Sequence, residues 1–119
     1  MRKTKKERTQ ITEPHSQGGD GILLLDHLLS AQSAPKGVKT FAKAVLEPGA
    51  SVGYHEHFGE AEVYYILSGE GEYQDNSDHF PVRAGDVTVT RSGDGHGIRN
   101  TGNLPLEFIA LIIADGEGM

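Results

Sequence analysis

The chain has no cysteine, which rules out both a disulfide framework and a thiolate metal site. Any transition metal it holds must be bound by imidazole and carboxylate. Long apolar runs are also missing. The longest, residues 22–25 and 108–114, fall far short of the roughly 20 residues that span a bilayer. The basic start leads into Thr9-Gln10-Ile11-Thr12-Glu13-Pro14, not into an apolar core of the signal-peptide type. A soluble, cytoplasmic protein with no membrane partner is therefore expected. Cations are scarce beyond the first eight residues, which hold five of the eleven Lys and Arg and leave six against sixteen Asp and Glu. So acidic a body argues against nucleic acid as a partner, because phosphate contacts need clustered positive charge. No segment calls for a helix longer than a turn or two.

Glycine, by contrast, is abundant: sixteen residues, dispersed along 119. A chain of this length forms one domain that buries roughly two-thirds of its unfolded surface. Glycine-marked turns about every ten residues punctuate short strands, the rhythm of an all-β sandwich or jelly roll. Residues 1–20 end in Ser16-Gln17-Gly18-Gly19-Asp20 and read as a partly flexible N-terminal arm, with 21–119 as the barrel. Residues 22–29 are read as a strand with Leu23, Leu25, His27 and Leu29 on one face. Residues 38–47 form a second, with Val38, Thr40, Ala42, Ala44 and Leu46 on one side and a mixed, partly covered face on the other. Further strands are expected over 63–67, 72–74, 79–83 and 87–90. Residues 106–113, apolar on both faces, suit burial on both sides or an interface.

Chemistry concentrates in residues 49–69. His55 and His57 are two apart, so on a strand they project to the same side. Glu62 follows after Phe58-Gly59-Glu60-Ala61, a short glycine-bearing link that suits a hairpin. His96 lies in a second glycine-rich segment. Three imidazoles and a carboxylate form a mixed nitrogen and oxygen donor set for one divalent transition metal (Mn, Fe, Ni, Co or Zn), with one or two positions left open.

The spacing Gly49, His55, His57, Glu62, Gly69 resembles the first motif of the cupin superfamily at every position. Residues 85–100 resemble the second motif at Gly85, Gly93, His96 and Asn100, with Arg91 where proline is usual. That departure puts the stiffness of the turn before His96 in question. The resemblance implies a double-stranded β-helix, or jelly-roll barrel, with His55, His57, Glu62 and His96 holding a metal inside its mouth. It also implies that a single-domain member dimerises.

The superfamily spans many reactions, so the resemblance does not select one. Around the metal, Tyr64 and His27 are the candidate catalytic groups, and Arg91 at the rim is the candidate substrate cation. Strand parity turns Lys39, Lys43 and Arg99 outward. Asn100 is expected to secure a strand end, and Glu56, Glu60, His15 and His79 to be solvated. The leading expectation is a metal-dependent oxygenase, decarboxylase or isomerase acting on a small carboxylate or sugar derivative. A non-enzymatic metallo-cupin that captures a small anion or sugar is the alternative. A purely stabilising metal is the third reading.

Overall fold

In the computed structural model, which describes residues 1–116, ten antiparallel strands form two facing sheets. They are β1 (Thr9–Pro14), β2 (Ile22–His27), β3 (Val38–Leu46), β4 (Ser51–Glu56), β5 (Glu60–Ser68), β6 (Glu70–Asp75), β7 (Asp78–Arg83), β8 (Val87–Thr90), β9 (Gly95–Asn100) and β10 (Leu106–Ala114). One sheet runs β1-β2-β3-β10-β5-β8 and the other β4-β9-β6-β7. This is the expected jelly-roll barrel. The last three residues of its expected span, 117–119, lie outside the described residues.

Alternation along each strand decides which side chains enter the barrel. On β10, Leu106, Phe108 and Ala110 are buried while Glu107, Ile109 and Leu111 are only partly covered. On β3, Ala42, Ala44 and Leu46 point in, as parity predicts. Ala44, Leu46, Leu106, Phe108 and Ala110 join Ile66 and Tyr73 in one buried apolar cluster.

Three expectations need correction. The link expected at 58–61 does not close a hairpin: β5 already begins at Glu60, and β4 pairs with β9 while β5 pairs with β10 and β8. Gly59, at φ 76°, instead carries the chain from one sheet to the other. The strand expected to reach residue 29 ends at His27, where Leu28 N and Leu29 N both donate to Phe41 O and the regular ladder stops. The supposed arm contains β1, which pairs with β2 from Thr9↔His27 to Pro14↔Ile22. Its single large apolar residue, Ile11, gave no periodic signal. What fixes it beyond the ladder is Arg8, whose Nε and Nη2 donate to the two carboxylate oxygens of Asp26 at 3.1 and 2.7 Å.

After β1, the 3-10 turn Ser16–Gly18 lies across β4. Gly19 and Gly53 allow this contact: a Cβ on Gly53 would collide with Gln17 O, and one on Gly19 with Ser51 O. Asp20 N donates to Ser51 Oγ, and Ser51 N to Asp20 O, at 2.9 and 2.8 Å.

The outer face of the six-stranded sheet is apolar. Phe41, Leu111, Val63 and Val89 sit in one cross-strand row, and Ile109, Tyr65 and Val87 in the next. Tyr65, Val87 and Val89 are 45%, 59% and 47% exposed.

Candidate metal centre

His55 stands on β4, His96 opposite it on β9, Glu62 on β5, and His57 at the corner where the chain changes sheets. Between Val52↔Ile98 and His55↔His96 the β4 register gains a residue, a bulge that lets both Val52 and His55 face inward. One ligand atom from each of His55, His57, Glu62 and His96 lies within 4.8 Å of the others. The structure thus brings together the four residues named from spacing alone.

Each imidazole is oriented through its Nδ1. His55 Nδ1 is 2.7 Å from Gly53 O, His57 Nδ1 is 2.8 Å from Glu60 Oε2, and His96 Nδ1 is 2.7 Å from Tyr73 Oη. This arrangement aims the Nε2 atoms at Glu62. Nε2 of His57 and of His96 lie 3.1 and 2.9 Å from its Oε1, and that of His55 lies 3.9 Å away. A neutral imidazole that donates from Nδ1 keeps a lone pair on Nε2, which is what a metal ligand needs. The donor set therefore fits a divalent transition metal, whose contribution is a Lewis-acidic centre with positions open to oxygen ligands.

The electrostatics follow from this packing. Burial alone would raise the Glu62 carboxyl, but the three imidazoles gathered around it outweigh burial and hold the group well below the usual carboxylate range. His57 is raised, chiefly by its hydrogen bond to Glu62 and further by Glu60. His96 is lowered because burial disfavours its charged form more than Glu62 favours it. Burial, then the Glu62 charge, push the Tyr64 hydroxyl far up, so it stays protonated. Its ring stacks on His96 with centroids 4.8 Å apart.

His55, His57 and Glu62 line a cavity of about 390 Å³ that reaches toward β1 and β2, while His96 is fully buried beside them. Leu23, Leu25, Phe108, Ala110 and Ile112 make its apolar wall. Tyr64 and His27 both line it, and the His27 ring has no hydrogen-bond partner among the described residues. Arg91 does not line it. Thr90, the last residue of β8, points inward and is fully buried, so parity sends Arg91 out to solvent. The turn that Arg91 opens is stiffened without proline. Asp94 N donates to Arg91 O at 3.0 Å, and the turn is tied to the first motif by Gly93 N to His57 O and His57 N to Asp94 O at 2.7 and 3.0 Å.

Asn100 secures the strand end, its Nδ2 donating to Leu46 O and Leu104 O at 2.8 Å. Glu60 was expected in solvent, yet it lines the cavity, accepts from His57 and is met by Lys39 Nζ at 3.3 Å. Spacing pointed to neither Tyr73 nor Gln17. Tyr73 lies on a strand with no ligand, and Gln17 in a segment without periodicity. Among the described residues, no helix is long and apolar enough to cross a membrane, a statement that does not extend to strands.

Comparison with known proteins agrees with the geometry. The chain matches the model of the cupin domain over residues 42–112. It is 50% identical over 97 residues to the oxalate-binding protein of Thermotoga maritima, covering 82% of this chain and 80% of that protein. Its structure is similar to the crystal structure of a Thermotoga maritima protein described as a predicted oxalate decarboxylase. The TM-score there is 0.90 at 46% identity, covering 96% of this chain and 99% of that one. A cupin 2 conserved barrel domain protein of Salinispora arenicola superposes with a TM-score of 0.71 at 20% identity, a likeness of fold alone, over 95% of this chain and 87% of that one. Two motifs, the two-sheet barrel and these matches agree: the chain belongs to the cupin family.

Proposed function

We propose that this chain binds a small oxygen-chelating carboxylate, oxalate or a close analogue, on a divalent transition metal held by His55, His57, Glu62 and His96. The observation that carries this reading is the placement of the four ligand atoms. They converge within 4.8 Å, and His55, His57 and Glu62 among them line a cavity of about 390 Å³, which leaves one side of a metal open to a small molecule. The oxalate-binding protein to which the chain is 50% identical supports the choice of ligand class. Mn, Fe, Ni, Co and Zn all suit the donor set. The test is calorimetric titration of oxalate into protein loaded with each metal in turn. Binding that disappears on chelation supports the reading, and absence of binding with every metal overturns it.

A second reading is that the bound acid is also turned over. Tyr64 and His27 favour it. Tyr64 offers a hydroxyl that stays protonated, and His27 offers an imidazole with no protein partner, both facing the cavity. In that reading Tyr64 donates a hydrogen bond to substrate oxygen and His27 moves a proton. Release of carbon dioxide or uptake of oxygen by metal-loaded protein, lost in His27→Ala with oxalate affinity kept, would decide for it. A metal that serves stability alone predicts the opposite pair of results: chelation lowers the melting temperature while no acid binds.

The apolar outer face of the six-stranded sheet supports a homodimer, which the cupin resemblance also implies. Large contiguous apolar patches on a soluble surface mark interaction sites. The flanking Lys43 and Glu107 neutralise each other at 2.7 Å, so a second copy laid on this face meets no unpaired charge from that pair.

A further inference from the structure

Three non-glycine residues among those described hold a left-handed backbone: His15 at φ 52°, Gln17 at φ 53° and Asn76 at φ 52°. Side chains with a Cβ rarely adopt this region, and where they do, something compensates. For Asn76 the reason is local. It sits in the β6–β7 turn, a place asparagine tolerates, and its Oδ1 accepts from Gly95 N at 3.0 Å. For His15 the reason is a bond between its Nδ1 and Gly19 O at 3.1 Å. Gln17 has no such reason. Gln17 is exposed, its carboxamide has no hydrogen-bond partner among the described residues, and it lines the same cavity as the buried His57 and Glu62.

The backbone beneath that side chain is firmly held. Gly18 N donates to His15 O and Gly19 N to Ser16 O, both at 2.9 Å, and Gln17 O packs on Gly53. Glycine at position 17 would take this conformation without strain, as Gly18 does at φ 78°. A strained position therefore presents an unoccupied donor and acceptor pair at the cavity.

We propose that Gln17 reads the ligand: its carboxamide hydrogen-bonds the end remote from the metal ligands, and that end is uncharged. The inference rests on the chelating-acid reading above and names the wider ligand class. The ionisable groups lining the cavity are Glu13, Glu60, Glu62 and Tyr64 with His27, His55 and His57, and no Lys or Arg is among them. Glu13 accepts from Ser16 Oγ at 3.1 Å, which leaves that wall acidic. A second carboxylate there would meet like charge with no cation to offset it, whereas an amide or hydroxyl would find both a donor and an acceptor on Gln17. Between the two ends, Leu23, Leu25 and Phe108 suit a short aliphatic link. The cavity of about 390 Å³ would hold about a dozen waters at ~30 Å³ each, more than oxalate fills. The class is a 2-oxo or 2-hydroxy acid with an amide or hydroxyl at its far end. Oxalate is all chelating head, and would leave the Gln17 end to water.

The test uses three probes with the same head: 2-oxoglutaramate, 2-oxovalerate and 2-oxoglutarate, with oxalate as the head alone. Each is titrated into metal-loaded wild type and Gln17→Gly, and metal affinity and melting temperature are recorded for both proteins. The wild type should prefer the amide to 2-oxovalerate by about fivefold or more, the worth of one hydrogen bond, with 2-oxoglutarate weakest. Gln17→Gly should lose that preference. It should keep its affinity for oxalate and for metal, and melt no lower than wild type, since glycine relieves the left-handed strain. Equal binding of amide and 2-oxovalerate by wild type, or a preference that survives the substitution, overturns the proposal while oxalate binding keeps the chelating-acid reading intact. A loss of every ligand together with a lower melting temperature makes Gln17 structural and also overturns it. If neither oxalate nor any 2-oxo acid binds, the two readings fall together.

Discussion

Tyr73 Oη lies 2.7 Å from His96 Nδ1, and the same hydroxyl lies 2.9 Å from Thr90 Oγ1. With His96 donating from Nδ1, the tyrosine hydroxyl donates its own hydrogen bond to Thr90 Oγ1, and the imidazole keeps its lone pair on Nε2. Tyr73→Phe removes this orientation and leaves a buried N–H without an acceptor. Metal affinity should fall by about 10- to 100-fold, as for other groups that orient metal ligands. Competition with a fluorescent chelator measures it, and an unchanged affinity would sink the assignment.

Metal uptake should depend on pH in a defined sense. The Glu62 and Glu60 carboxylates raise His57 above its ordinary value of 6.5. Below that raised value His57 carries a proton on each nitrogen, and a metal must displace the one on Nε2. Apparent affinity should therefore fall as pH drops, by about tenfold per pH unit for each proton displaced, and should level off above the raised value. Titrations in buffers of differing ionisation enthalpy count the protons released. A flat affinity across roughly pH 8 to 6 would contradict the assignment of His57 as a ligand.

The ion pair of Arg8 with Asp26 anchors the first strand to the second. Asp26 is 7% exposed, and removing its partner leaves a buried carboxylate with little compensation. Arg8→Ala should cost about 2 kcal/mol in urea denaturation. A change below about 0.5 kcal/mol would show that the pair is a solvated surface contact.

If two copies meet through the outer apolar face, charge placed there should separate them. Tyr65→Lys with Val89→Glu should convert a dimer to a folded monomer in light scattering, with metal affinity unchanged, since neither side chain faces the cavity. Wild type that is already monomeric at micromolar concentration would refute the interface.

The two kinds of information in the chain were unequally legible. His55, His57, Glu62 and His96 could be named because strand parity and motif spacing are local properties, and Leu23, Ala42 and Ala44 could be placed because alternation reports burial. The first strand escaped notice because Thr9–Pro14 has no apolar alternation and depends on a partner strand and a distant aspartate. The hairpin expected at 58–61 is absent for a similar reason: a short glycine link permits a hairpin but does not say which sheet the next strand joins. Arg91 follows the last residue of its strand, so the motif spacing that singles it out does not report which way its side chain points. The groups that orient the ligands, Glu60 and Tyr73, come from strands whose meeting is decided by topology.

The change of sheet at Gly59 has a mechanical consequence. His55 and His96 belong to the four-stranded sheet and Glu62 to the six-stranded one, so one ion bound by all of them would fasten the two halves of the barrel at its mouth. Away from the cavity, Leu46, Ile66 and Leu106 are fully buried and hold the sheets together without an ion. Removing the ion should then act like unfastening a clasp on a hinged case. Amide exchange should quicken together in β4, β9 and β5 while the far end stays protected.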